Sequence, residues 1–219
     1  MTETKLHWIE EEIAALQEQG LFINLRIIDS PAGAWMVVDG KRVLNLCTNN
    51  YLGLANDPRL IAAAKDALDR FGAGPTAVRS IAGTLTLHRE LEQAMAEFKH
   101  VEDALYVQAG FLANQAALPP LVGPEDVIFS DRLNHASIID GARLSRAKII
   151  VYEHCDPADL EARIKEHLPQ YRRGLMVTDG VFSMDGDLAP LDALYEVCER
   201  YGVMTMVDDA HGEGVVGQG

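Results

Sequence analysis

Between residues 104 and 208 the sequence alternates short apolar runs with amphipathic stretches. This alternation constrains the fold more than any other feature. Residues 104–107, 127–129, 148–152, 175–178 and 204–207 read as strands. Helical patterns run from Gly110 to about Leu121, from His135 to Ser145, from Pro157 to His167 and from Leu191 to Tyr201. Strands alternating with helices at this spacing imply βαβ crossovers, and so a parallel sheet with helices on both faces. In such sheets ligands lie outside the carboxyl ends of the strands.

Upstream, residues 5–19 carry a helix pattern (Trp8, Ile9, Ile13, Leu16) that Gly20 would end. Residues 34–38 and 42–46 flank Asp39-Gly40, a hairpin signal. Asp57-Pro58 opens a helix to about Phe71, and a further helix is expected over 85–98. Between these two helices, residues 72–84 are small and Gly-rich with one arginine, Arg79. So long a loop in a compact domain is usually functional or at an interface. We expect 1–55 to be an arm of helix and hairpin, and 56–219 to be a cofactor-binding domain.

The 219 residues carry a formal net charge of −14, which argues against a nucleic-acid or membrane-surface partner. Cys47, Cys155 and Cys198 form no C-x-x-C pair, so a reducing compartment fits. No apolar run is long enough to span a bilayer, and Glu10, Glu11 and Glu12 interrupt any signal-like segment. Cytoplasm is the expected location.

Polar groups gather just past the strands. They are Gln108 to Asn114 after the first, Asp131, Asn134 and His135 after the second, Thr178 to Asp187 after the fourth, and Asp208, Asp209 and His211 after the last. Gly110 opens a helix whose free N–H groups can hold a phosphate. No P-loop and no G-x-G-x-x-G is present. Taken singly, Asp208 and His135 read equally as helix caps and Ser183 as a turn residue. A metal site of Asp208, Asp209, His211 and Asp131 is disfavoured, because adjacent Asp side chains on a strand point opposite ways.

Several of these segments resemble the α-oxoamine synthases, pyridoxal-phosphate (PLP) enzymes of the aspartate-aminotransferase fold (PLP fold type I). They are Asn49-Asn50-Tyr51-Leu52-Gly53-Leu54, Val78-Arg79-Ser80-Ile81-Ala82-Gly83-Thr84, Asn134-His135-Ala136-Ser137-Ile138-Ile139-Asp140-Gly141, Thr178-Asp179-Gly180-Val181-Phe182-Ser183-Met184-Asp185-Gly186 and Val207-Asp208-Asp209-Ala210-His211-Gly212. The resemblance implies that Asp208 binds the pyridine nitrogen of PLP, and that His211 reaches its phenolic oxygen. It places Ser183 beside that oxygen or the phosphate, and Gly110 and Phe111 at the phosphate. His135 would stack on the ring near the substrate carboxylate, and Asn49 would contact the substrate. The implied catalytic set is His135, Asp208 and His211. The implied partners are glycine or another small amino acid, an acyl-CoA, and a second copy in a homodimer.

The implied activity is first that of glycine C-acetyltransferase, joining glycine to acetyl-CoA. Second comes 8-amino-7-oxononanoate synthase, joining L-alanine to a pimeloyl thioester. The family's Schiff-base lysine would follow the Asp-Asp-Ala-His motif by a few tens of residues. None of Lys99, Lys148 and Lys165 matches it. The 219 residues alone are therefore expected to be inactive, as a fragment of the enzyme. A lysine-lacking, non-catalytic partner subunit is the alternative from another class.

Overall fold

A computed structural model describes residues 5–217. The chain divides into two compact units, one up to Gly72 and one from Ala73 onward.

In the first unit, helix α1 spans His7–Glu18 and buries no residue. Strands β1 (Trp35–Val38) and β2 (Lys41–Leu44) pair antiparallel, with Val38 opposite Lys41. Asp39 and Gly40 between them both take positive φ, 48° and 70°, as the tight primed hairpin turn requires. Helix α2 (Pro58–Phe71) starts as its sequence predicts: Asp57 accepts from the backbone N–H of Arg59 at 2.8 Å, and proline fills the first helical position.

The second unit holds α3 (Thr86–Lys99), α4 (Gly110–Leu121), β3 (Val127–Asp131), α5 (Ala136–Ser145), β4 (Lys148–Tyr152), α6 (Pro157–His167), β5 (Gly174–Asp179), α7 (Leu191–Tyr201) and β6 (Met204–Asp208). The strands form one parallel sheet in the order β4-β3-β5-β6. From β3 the chain steps outward to β4, then returns across β3 to β5 and on to β6. The winding direction reverses between β3 and β5, and the helices change face with it.

Alternate side chains make the two cores. Ile128, Leu175 and Val177 pack with Leu118 of α4 and with Ile138 and Ala142 of α5. Val127, Phe129 and Met176 pack on the other face with Leu160 and Ile164 of α6 and with Leu194 and Val197 of α7. A parallel sheet buried on both faces explains why its central strands read as continuous apolar runs. No helix among the described residues is long and apolar enough to cross a membrane.

One expected strand is not there. Residues 104–107 pair with no strand among the described residues. The polar backbone of Tyr106 is satisfied by side chains instead: its N–H donates to Glu92 Oε1 at 3.0 Å, and its carbonyl accepts from Arg79 Nη1 at 3.0 Å. A strand exists only by virtue of a neighbour, and here two charged side chains take the neighbour's place. Arg79 also bonds the Glu92 carboxylate directly, and Arg89 adds a second contact at 2.8 Å. With the Arg79 bond as the main cause and the Tyr106 N–H next, the Glu92 carboxyl is held down to about 2. The Gly-rich loop is thereby tied to α3.

Candidate active site

The point where winding reverses lies at the carboxyl ends of β3 and β5, with β6 alongside. Open α/β sheets present their ligand crevice at such a place. Asp208 ends β6 in register with Asp179 at the end of β5. Its Oδ1 accepts from the Ala210 N–H at 3.1 Å, so the capping reading of this residue is part of the truth. Its Oδ2 accepts from Asn114 Nδ2 at 2.7 Å. That amide also donates to Ser137 Oγ at 2.9 Å, and Ser137 Oγ lies 2.7 Å from Nδ1 of His135.

Asn114 and Ser137 are buried and sit where α4 crosses α5. The helices can approach because residue 141 is glycine: a Cβ there would stand 2.7 Å from the Asn114 carbonyl oxygen.

His135 is the N-cap of α5, its ring nitrogen accepting from the Ser137 N–H at 3.2 Å. Its own N–H donates to Asp179 Oδ2 at 2.7 Å. Asn134, also buried, donates to the Val177 carbonyl at 2.8 Å and accepts from the Asp179 N–H at 2.9 Å. This turn is therefore pinned to the end of β5. Burial pushes the Asp179 carboxyl up, opposed by the bond from His135. The Asp208 charge adds to the rise, and the imidazoles of His135 and His211 pull against it. The net direction is up.

His135 and Ser183 share the wall of a cavity of about 200 Å³ with Asn134, Asp179 and Phe182. His135 and Ser183 are exposed residues, and His211 is half-buried. Gly110 and Phe111 open α4 one turn before Asn114. No side chain caps that helix end, and no acidic residue stands in its first turn. Such an end favours an anion. Asn49 lies in the first unit, exposed, with its Oδ1 accepting from the Tyr51 hydroxyl at 3.3 Å.

Among the described residues, no group of metal-ligating side chains forms at Asp208. Asp131 instead meets His154 Nδ1 at 2.9 Å and the Cys155 N–H at 2.9 Å. His154 turns its other nitrogen to Asp187 at 3.2 Å. Asp131, His154 and Cys155 offer ligand atoms within 4.8 Å of one another. Asp131 already accepts three bonds, the third from the Leu133 N–H at 2.9 Å. The cluster is internally satisfied and fixes the turns after β3 and β4.

Sequence reasoning assigned no role to Asn114, Ser137 or Asp179. For Asn114 a signal was present: a lone amide on the inner face of an otherwise apolar helix needs a partner.

PLP fits the residues gathered here. An uncapped helix end suits a phosphate, and the Asp208 carboxylate keeps lone pairs beyond its two bonds for a protonated ring nitrogen.

The chain is similar to known proteins along nearly its whole length. The 8-amino-7-oxononanoate synthase of Fervidobacterium nodosum is 59% identical over 214 residues, covering 96% of this chain and 54% of that protein. The enzyme of the same name from Thermosipho melanesiensis is 58% identical over 207 residues, covering 94% and 53%. Serine palmitoyltransferase from Sphingomonas wittichii superposes with a TM-score of 0.89 at 36% identity, covering all of this chain and 55% of that one. Serine palmitoyltransferase from S. paucimobilis, solved with bound PLP and myriocin, gives 0.84 at 32%, covering 94% and 52%. The chain spans about half the length of the relatives it matches. Residues 41–219 match the model of aminotransferase class I and II, and the chain belongs to that family, with α-oxoamine synthases as its relatives.

Proposed function

We propose that this chain is the cofactor-binding part of a PLP-dependent α-oxoamine synthase that joins an amino acid to an acyl thioester. The favoured substrates are L-alanine and a pimeloyl thioester. The observation that carries the cofactor is Asp208, a carboxylate held by Asn114 at a strand end, with the uncapped start of α4 one turn from that amide. The relatives, at 58–59% identity, favour the pimeloyl reading over the glycine C-acetyltransferase reading that the sequence motifs put first.

Bound PLP supplies an electron sink for negative charge at the amino acid's α-carbon. The chain's own groups prepare that chemistry. Gly110 and Phe111 offer N–H groups to the phosphate. Asp208 keeps the ring nitrogen protonated. His211 and Ser183 address the ring and phosphate oxygens. His135 covers the ring face, where its imidazole can hold or pass a proton near the substrate carboxylate. Asn49 contacts the substrate.

We further propose a cytoplasmic homodimer, with residues 72–84 near the partner's cofactor, residues 1–55 as an arm, and 56–219 as the first part of the large domain. Trp8, Leu25 and Ile23 in the first unit are 60%, 91% and 82% exposed, which suits surface that a second copy covers.

The test is turnover by the complete enzyme with PLP. L-alanine with pimeloyl-CoA should release CoA with kcat/KM at least about tenfold above glycine with acetyl-CoA, a preference of about 1.4 kcal/mol. The reverse preference would return the glycine C-acetyltransferase reading. Turnover of neither pair by PLP-loaded enzyme would remove the acyltransferase reading altogether.

A further inference from the structure

The two sides of the proposed cofactor pocket are joined by an unbroken line of hydrogen bonds. It runs from Asp208 Oδ2 to Asn114 Nδ2, from that amide to Ser137 Oγ, and from Ser137 Oγ to His135 Nδ1. The donors can be assigned without ambiguity. An ionised carboxylate only accepts, so the amide nitrogen of Asn114 must face Asp208. The same nitrogen's second proton goes to Ser137 Oγ, which leaves the hydroxyl proton free for His135. At Nδ1 a second donor converges, the backbone N–H of Ser137 at 3.2 Å, and this group cannot act as an acceptor. Nδ1 is therefore an acceptor. The neutral imidazole then carries its proton on Nε2, on the ring edge away from this bridge.

We infer that Asn114 and Ser137 are positioning residues that set both groups at once, orienting the Asp208 carboxylate and fixing His135 as its Nε2–H tautomer. This rests on the PLP reading above. The reach of Asn114 depends on the close α4–α5 approach at Gly141, where any side chain would strike the Asn114 carbonyl. Neither residue touches the cofactor in this scheme. They act through the two that do, in the way outer hydrogen bonds fix the tautomer and orientation of a working histidine or carboxylate.

Two readouts test the inference in the complete enzyme. The first needs no cofactor: nitrogen-15 NMR of the histidine rings, with His135 assigned by His135→Gln. The unsubstituted protein should show His135 protonated at Nε2, and Asn114→Leu should raise the share protonated at Nδ1, because the freed Ser137 hydroxyl can then accept at 2.7 Å and only the longer 3.2 Å bond from the Ser137 N–H still opposes that tautomer. A wild-type His135 protonated at Nδ1, or an unchanged ring in Asn114→Leu, would overturn the bridge.

The second is PLP affinity by absorbance titration, alongside the melting temperature. Asn114→Leu should bind PLP at least about tenfold more weakly. If Asn114 only supports the fold, Asn114→Leu lowers the melting temperature but leaves the PLP affinity of the folded protein unchanged, and the inference fails. Absence of PLP binding by the unsubstituted enzyme would sink the functional reading instead, and the NMR measurement would still decide the bridge.

Discussion

Strands β5 and β6 lie side by side, both apolar, both parallel and both ending in aspartate. Every residue of β5 is buried, and no residue of β6 is fully so. β5 has a strand on each side, whereas β6 pairs only with β5 among the described residues. Similar sequences therefore occupy different environments, because burial is set by neighbours and not by propensity. The difference reaches the site. Asp179 ends a packed strand and is bonded to His135 and Asn134 of the turn after β3. Asp208 stands on a looser strand, held by the Ala210 N–H of its own turn and by Asn114 of α4.

The largest effect should separate the two carboxylates by function. In the complete enzyme Asp208→Asn should lower kcat by about 100- to 1,000-fold, the scale on which one preorganised charge contributes, about 3–4 kcal/mol. PLP binding should remain detectable. Steady-state kinetics beside a PLP titration would measure both, and an unchanged kcat would remove Asp208 from the ring nitrogen.

The two strands should also differ in what they contribute to stability. Met176→Ala empties a fully buried site on β5 and should cost about 2–5 kcal/mol. Met206→Ala, half-buried on β6, should cost about 1 kcal/mol or less. Denaturant midpoints give the comparison, and equal losses would mean that β6 is as well packed as β5.

Smaller again are the pH effects, and the sheet's two ends should respond with opposite sign. At the amino end Asp126 is held down to about 2, first by the bonds from Arg172 at 2.9 and 2.8 Å. A depressed carboxyl adds stability above its unfolded value of about 3.9. That stability falls away as pH drops through that value toward about 2. Asp126→Asn should therefore destabilise at neutral pH and make little difference in strong acid.

At the carboxyl end Asp179 is shifted up by burial and by Asp208. Its ionisation works against the fold, so the stability linked to it is present below the unfolded value and lost as pH rises through the folded one. Asn keeps an acceptor for the His135 N–H. Asp179→Asn should therefore be neutral or stabilising near pH 7, with any gain shrinking in acid. Melting curves of both variants over about pH 2 to 8 would check the signs.

Much of this was legible in the sequence because the signals are local. Asp57 followed by Pro58 announces α2, and Asp57 does cap it, accepting from the Arg59 N–H at 2.8 Å. Asp39-Gly40 announces the hairpin turn. The sheet follows from alternation, and the strand ends follow from the sheet. Residues 104–107 misled because an apolar run carries no record of its partner. The bridge escaped notice because Asn114 meets Ser137 across 23 residues and Asp208 across 94. The helix pattern marks Asn114 as an amide that needs a partner, but nothing local names that partner as a strand end so far along the chain. Acyl and amino-acid preference was not legible either, since the motifs describe the ring's surroundings and not the thioester's.

The central claim is that Asp208 holds the ring nitrogen of PLP in its protonated state. The direct measurement is nitrogen-15 NMR of PLP labelled at that nitrogen, bound to the complete enzyme and to its Asp208→Asn variant. The account predicts a protonated nitrogen in the first and an unprotonated one in the second. The same protonation state in both would contradict it.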